Sequence, residues 1–280
     1  MPWAGERSEA ETAMLEITGL SMRFGGLLAL VDFTLKIPEG GLYGLIGPNG
    51  AGKTTVFNLI SGFLTPTAGT IRFRGRNLQG LSPQARTVLG MARTFQNIRL
   101  FADLTVLDNV LVGFHCRSRA AWWEAVLRLP RYRREERQHT HKALALLEEV
   151  GLKDLAQERA RQLPYGHQRH LELARALATK PRLLLLDEPA AGLNPQETRE
   201  LMQFLRQIKE RHGLTMLVIE HNLRLVMGLC EHLTVLDYGL IIAQGHPEEV
   251  RRNPRVIQAY LGEGQGVFKV EGPGVGNQKD

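Results

Sequence analysis

Cysteine is nearly missing from this chain: its 280 residues hold two, Cys116 and Cys230. Two isolated thiols support neither a disulfide framework nor a cysteine metal site, and they read as buried or idle. Long apolar runs are missing as well. The longest, such as Leu183 to Leu186 and Leu214 to Ile219, fall well short of the roughly 18 residues that a membrane-crossing helix needs. The first residues, MPWAGERSEAETA, lack the apolar stretch of a secretory signal peptide. These absences predict a protein that stays in the cytosol and does not cross a bilayer by itself. What is present is an ordinary globular composition, 43% hydrophobic and 23% charged, long enough for one large domain or two small ones. A net charge of +6 and a pI near 9.5 favour anionic partners: nucleotide, nucleic acid or an inner membrane surface. Charge alone does not choose among them.

From Leu15 to Gly47, short alternating runs such as LEITGLSMRF and ALVDFTLKI are broken at GG and PEGG, the pattern of strands joined by turns. GLYGLIG leads into a glycine-rich loop and a helix from about Lys53, and GTIRFRG reads as a further strand. From about Ser82 to Lys180 the pattern is mostly helical; HKALALLEEVGL has apolar residues at helical spacing and Gly151 as the expected C-cap. This block predicts an inserted helical subdomain at about 97–180. The last third alternates strand RLLLLDE, a helix from Pro195 to about Arg211, strand LTMLVIE, helix NLRLVMGLC and strands LTVLDYG and LIIAQG, followed by short helices. Such alternation implies a parallel α/β sheet. In Asn194-Pro-Gln-Glu197, Asn194 suits an N-cap, Pro195 the first helical position and Glu197 a capping box. The expected organisation is a flexible 1–13, one domain over 14–262, and a flexible glycine-rich tail over 263–280. No internal repeat is evident.

The strongest chemical signal is Gly47-Pro48-Asn49-Gly50-Ala51-Gly52-Lys53-Thr54, which fits G-x-x-x-x-G-K-[ST] between an apolar strand and a helix. Glycines let successive N–H groups turn toward phosphate oxygens, and the helix that follows adds the positive end of its dipole. Lys53 is expected to reach the β and γ phosphates, Thr54 to offer a hydroxyl to Mg²⁺, and Thr55 to add a phosphate contact. The bland alternative, a glycine turn with an incidental lysine, does not account for the strand before it and the helix after it. The second signal is the apolar strand ending in Asp187-Glu188, at the edge where open α/β sheets place ligands. Asp187 suits the Mg²⁺ shell. Glu188 suits an attacking water, because phosphoryl transfer needs positioning and charge neutralisation more than covalent help. Alone, such a pair is often a solvated strand end.

Between these motifs, Leu163-Pro-Tyr-Gly-His-Gln-Arg-His-Leu-Glu-Leu-Ala-Arg-Ala resembles the LSGGQ signature and following helix of ABC ATPases. The resemblance runs from about Leu15 to Gly262. It implies a P-loop, RecA-like α/β core with an antiparallel β subdomain and an inserted helical subdomain, acting on ATP with Mg²⁺. Its landmarks fall in order: Phe24 as the aromatic on adenine, Gln96 in ARTFQN as the Q-loop residue, Gly192-Leu-Asn194 as the D-loop, and His221 as the switch histidine. By the same resemblance Glu188, Gln96 and His221 are catalytic, and Thr54, Gln96 and Asp187 surround the metal. Tyr165, Gly166, His167 and Gln168 contact nucleotide. Taken singly, Phe24 could be a strand core residue, Gln96 a surface amide and His221 a helix-start histidine.

Within ABC ATPases, LDEPAAGLNP, the form L-P-Y-G-x-Q-R, EHNLRLVMGLCEHLTVLDYG and the ending NPRVIQAYLGE look like the ATP-binding subunits of branched-chain amino acid importers. That likeness implies a second ATPase subunit, itself or a paralogue, two membrane permeases and, indirectly, a periplasmic binding protein. The chain would sit peripherally on the cytoplasmic face of the inner membrane. Departures from the general signature are Pro164 and Tyr165 for Ser and Gly, His167 for Gln, and Asn194 for the D-loop Asp. Pro164 has neither hydroxyl nor N–H, so a γ-phosphate contact there falls to Gly166 and its neighbours. A rival system is a lipopolysaccharide exporter, whose ending near YLGE is similar. A rival class is a soluble ABC protein on nucleic acid or ribosomes, supported by the basic charge alone, and no nucleic-acid partner is expected. The arginine-rich segment His115 to Gln138, with Trp122 and Trp123, reads either as a solvated helical hairpin or as a surface facing anionic headgroups or a permease.

Overall fold

The computed structural model describes residues 13–116, 129–221 and 223–261. The expected tail at 263–280, all but the end of the N-terminal 1–13, and Trp122 and Trp123 lie outside the described residues. The strand-rich opening forms an antiparallel sheet of order β2-β1-β4-β5, from β1 (Leu15–Phe24), β2 (Leu27–Ile37), β4 (Ala68–Phe73) and β5 (Arg76–Asn77). Its alternation is legible in the register: Leu15 faces Ile37 and Ile17 faces Leu35, all buried, while Glu16 and Lys36 between them are exposed.

The second sheet has the order β10-β9-β3-β8-β7-β6. Its strands are β3 (Leu42–Ile46), β6 (Met91–Arg93), β7 (Leu183–Asp187), β8 (Thr215–Ile219), β9 (His232–Asp237) and β10 (Leu240–Gly245). All neighbours are parallel except β10, which turns back antiparallel on β9. β7 shows why a run of leucines is needed here. Leu184 and Leu186 join one core cluster with Leu201 and Leu205, whereas Leu183 and Leu185 join another with Phe33 and Phe57. A strand covered on both faces has no polar side to offer.

Helices connect the strands, α1 (Lys53–Ser61), α2 (Pro83–Leu89), α3 (Val106–His115), α4 (Pro130–Glu149), α5 (Tyr165–Ala178), α6 (Pro195–His212) and α7 (Leu223–Leu229), and two more, α8 (Pro247–Arg252) and α9 (Pro254–Leu261), follow β10. A third core cluster joins α3, α4 and α5 through Val110, Phe114, Leu147, Leu171 and Ala174. α5 also sends Leu173 and Leu177 into the cluster beneath the parallel sheet. It is therefore the beam shared by the helical block and the sheet. Among the described residues, no helix is long and apolar enough to cross a membrane.

Two expectations need correction. The stretch after Ser82 is not simply helical, because Met91–Arg93 pairs with Leu183–Leu185 as the edge strand of the parallel sheet. Three residues are too few for a period of two to show. α4 is capped by Val150 (φ −93°), and Gly151 (φ 72°) follows one position later, donating its N–H to Glu148 O at 3.1 Å. The left-handed residue of such an ending lies just past the cap, which is where glycine is favoured. The Asn194 start is as expected: its side chain accepts from the Gln196 and Glu197 N–H groups, and the Glu197 carboxylate accepts from Asn194 N–H at 2.8 Å.

Candidate functional site

The loop from Gly47 to Gly52 joins the end of β3 to the start of α1. Two of its glycines are needed by shape. Gly47 (φ 149°) and Gly52 (φ 104°) lie in backbone regions that side chains rarely adopt, and a Cβ there would stand 2.0 Å from Leu236 O and 2.7 Å from Ala29 O. The backbones of β9 and β2 thus press on the loop from two directions. Pro48 and Ala51 are buried, while Asn49 and Gly50 are exposed. Lys53 is 6% exposed, and its Nζ donates to Gly47 O at 2.6 Å and Pro48 O at 2.7 Å. Thr54 and Thr55 occupy the first turn of α1. The other end of that helix is pinned by buried Arg86, whose guanidinium donates to the Leu59 and Ile60 carbonyls at 2.7 Å each.

Phe24 ends β1 and pairs with Leu27, at the tip of a hairpin whose next turn of chain brings Ala29 against Gly52. It is 45% exposed, so it is not a core residue.

β7 runs out at Asp187, and there the alternation stops. Glu188 has φ 46°, a left-handed conformation that costs a side-chain-bearing residue about 1–2 kcal/mol. The twist brings three predicted residues together: Gln96 Nε2 donates to Glu188 Oε2 at 2.7 Å, and His221 Nδ1 lies 3.6 Å from the same oxygen. Asp187, on the buried strand end, is ion-paired by Oδ2 to Arg93 Nη2 at 2.8 Å. Arg93 also donates to Asn58 Oδ1 on α1 at 2.8 Å. Among the described residues, no group of three His, Cys, Asp or Glu could hold a metal. The Thr54 hydroxyl, Gln96 amide and Asp187 carboxylate are hard oxygen donors of the kind Mg²⁺ takes when phosphate oxygens complete its shell. These residues fit the ion.

Tyr165, Gly166, His167 and Gln168 form the first turn of α5, after N-cap Pro164. A Cβ on Gly166 would meet nothing within 4 Å, and His167 is exposed, so one side of this turn is open. Gln168 turns inward instead, donating Nε2 to Leu163 O at 2.9 Å. Sequence reasoning missed what lies behind the turn. Arg169 and Glu172, 3% and 2% exposed, hold the 95–96 backbone: Arg169 donates to Phe95 O at 2.8 Å and to Gln96 O at 2.7 Å, and Glu172 accepts from Phe95 N–H at 3.2 Å. Burial pushes the Glu172 carboxyl above the usual carboxylate range, against the pull of that N–H and of Arg169. An Arg and a Glu three apart, the Glu between two leucines, were the available signal. Arg93, on the edge strand β6 three positions before Gln96, carried no such signal.

Phe63 is about half exposed, and it lines a cleft of about 210 Å³ together with Arg93 and Phe95, the residue before Gln96.

Residues 30–191 match the family model described as ABC transporter, and residues 241–265 match that described as branched-chain amino acid ATP-binding cassette transporter. The chain is 47% identical over 250 residues, 89% of its length and 98% of the relative's, to the high-affinity branched-chain amino acid transport ATP-binding protein LivG of Salmonella typhimurium. It is 33% identical over 250 residues, 89% of the chain and 97% of the relative, to the lipopolysaccharide export system ATP-binding protein LptB of Acidithiobacillus ferridurans. Among solved structures it resembles the ADP conformation of an ATP-binding cassette of an ABC transporter, with a TM-score of 0.78 and 31% identity over 89% of this chain and 99% of that one.

Proposed function

This chain belongs to the ABC transporter ATP-binding family, and on that premise we propose that it hydrolyses ATP to drive an importer of branched-chain amino acids through separate permease subunits. The observation that carries the hydrolytic reading is the convergence of Gln96 and His221 on one oxygen of Glu188, beside a complete P-loop. The substrate reading is supported by the 47% identity to a branched-chain amino acid ATPase, against 33% to a lipopolysaccharide one, and by the C-terminal family match.

In this reading the Gly47–Gly52 backbone and Lys53 bind the β and γ phosphates of ATP, and the helix dipole of α1 favours their charge. Thr54, Gln96 and Asp187 would hold Mg²⁺, which when bound would neutralise phosphate charge. Glu188 accepts hydrogen-bonded water and polarises it for attack on the γ phosphorus. Gln96 and His221 fix the carboxylate that does so, and Arg93 fixes Asp187. Phe24 stacks on adenine. The open turn Tyr165–Gln168 faces the ATP held by a second ATPase subunit, the same chain or a paralogue, so each nucleotide is closed between two subunits. The half-exposed Phe63, packed edge-on against Phe95, gives a permease an apolar contact next to Gln96. A periplasmic binding protein would act through those permeases, and the whole chain would lie on the cytoplasmic face of the membrane.

Two measurements test this. Deleting the gene should abolish ATP-dependent uptake of leucine, isoleucine and valine, and the wild-type gene should restore it; unchanged uptake of all three would refute the substrate assignment. Phe24→Ala should weaken ATP binding by about 1–2 kcal/mol, within the range of about 1–3 kcal/mol for base stacking on an aromatic. Equal affinity in both proteins would return Phe24 to the role of a hairpin-tip residue.

A further inference from the structure

Tyr165 and Arg169 are four residues apart on α5, so their side chains share a face. Between them they touch both loops that flank Glu188. Arg169 Nη1 and Nη2 donate to the carbonyls of Phe95 and Gln96, 2.8 and 2.7 Å away. Arg169 Nη2 also donates to the Tyr165 hydroxyl at 3.1 Å, and that hydroxyl donates in turn to Ala191 O at 3.1 Å. Ala191 N–H closes the turn back to Glu188 O at 3.1 Å. On the other branch, Gln96 Nε2 reaches the Glu188 carboxylate at 2.7 Å.

We infer that Arg169 and Tyr165 are positioning residues for hydrolysis, fixing Gln96 from one side and the 188–191 turn from the other, so that α5 and the Glu188 carboxylate are held in one register. The inference rests on the ATPase reading above. Stability alone is a poor account of the arrangement. A buried ion pair such as Arg169–Glu172 is often no better than apolar residues of the same volume, and here the pair is the longest of the arginine's contacts at 3.3 Å. The shorter ones go to loop carbonyls 73 and 74 residues away. A planar guanidinium holds its donors in one rigid fork toward the two carbonyls and the hydroxyl, whereas a lysine ammonium is a compact charge on a flexible stem that does not reproduce that fork. The tyrosine that replaces the signature's glycine also gains a reason. Its ring lies 3.4 Å from the place of a Cβ on Gly192, and its hydroxyl bridges to the turn before it.

The test is a double-mutant cycle on the full-length protein, read as steady-state hydrolysis of MgATP with thermal melting as the control for folding. Arg169→Lys should lower kcat by about tenfold and leave KM for ATP within about threefold, because the interaction lost acts on the hydrolytic residues rather than on nucleotide binding. Tyr165→Phe, at a half-exposed site, should lower kcat by roughly threefold. On a Gln96→Ala background Arg169→Lys should have little further effect, since residues that act through one another are not additive. Wild-type kcat in both single variants, or an Arg169→Lys loss that multiplies on the Gln96→Ala background, would overturn the inference. If Arg169→Lys does not fold, Tyr165→Phe decides alone: a kcat equal to that of wild type overturns the inference. A wild-type protein that binds ATP without hydrolysing it would overturn the functional reading and the inference together, whereas an active wild type with multiplicative losses overturns the inference alone.

Discussion

Glu188→Gln is expected to bind MgATP with nearly unchanged affinity and to turn it over at least ~100-fold more slowly, the lower range for loss of a general base. The substitution is nearly isosteric. A glutamine keeps an oxygen for the Gln96 amide, now 2.7 Å from Glu188 Oε2, and tolerates φ 46° no worse than glutamate does. What it loses is the negative charge that orients and polarises water. Binding and closure of two subunits on ATP should therefore persist, and size-exclusion chromatography should show an ATP-dependent dimer that wild type does not accumulate. Turnover close to that of wild type would remove Glu188 from the chemistry and leave the 96–188–221 cluster as a structural contact.

Lys53→Ala should fail at the earlier step. Removing one member of a buried charged contact typically costs about 2–5 kcal/mol, which is roughly 30- to 5,000-fold in nucleotide affinity. The loss should extend to ADP, because Lys53 is assigned to the β phosphate as well as the γ. Part of it will come from the protein itself: Lys53 Nζ bridges Gly47 O and Pro48 O, so its removal also loosens the loop that cradles the phosphates. Equilibrium binding of a fluorescent ATP analogue and of ADP separates the two variants, Glu188→Gln holding both ligands and Lys53→Ala neither. Tight binding by Lys53→Ala would count directly against the P-loop assignment.

The parts of this site legible in the sequence are those built from neighbouring residues. Gly47 to Thr54 carries its own turn, its own helix start and its own charge, and Asn194 to Glu197 caps α6 without help from anywhere else. The leucine run of β7 announces a strand buried on two faces because the period and the burial are both local. Local reasoning stopped where the chemistry depends on distant partners. Asp187 looked like a strand-end acid; that Arg93, 94 residues away, holds one of its oxygens is a property of β6 lying beside β7. β6 itself is three residues long, and no pattern that short identifies a strand. Nor did alternation along β7 foretell that Glu188 would leave the strand in a left-handed conformation. Tyr165 stood out only as a departure, and its hydroxyl bond to Ala191 supplies a physical role that spacing could not.

The order of strands in the parallel sheet sets a timetable for synthesis. β3, which launches the phosphate loop, pairs with β8 on one side and β9 on the other, and both are encoded in the last quarter of the chain. The surface that fixes Gly47 is the Leu236 carbonyl, about 190 residues downstream. At about 5–20 residues per second, a ribosome takes on the order of 10–40 s to add that stretch. During that interval the nascent chain carries a complete nucleotide-binding motif with neither flanking strand in place, and sheet pairings this distant in sequence are slow to form even once available. The antiparallel sheet is under no such delay, since all four of its strands lie between Leu15 and Asn77. The growing chain thus has the β1–β2 hairpin early and the backbone that fixes the 47–52 loop only after Leu236 has been added.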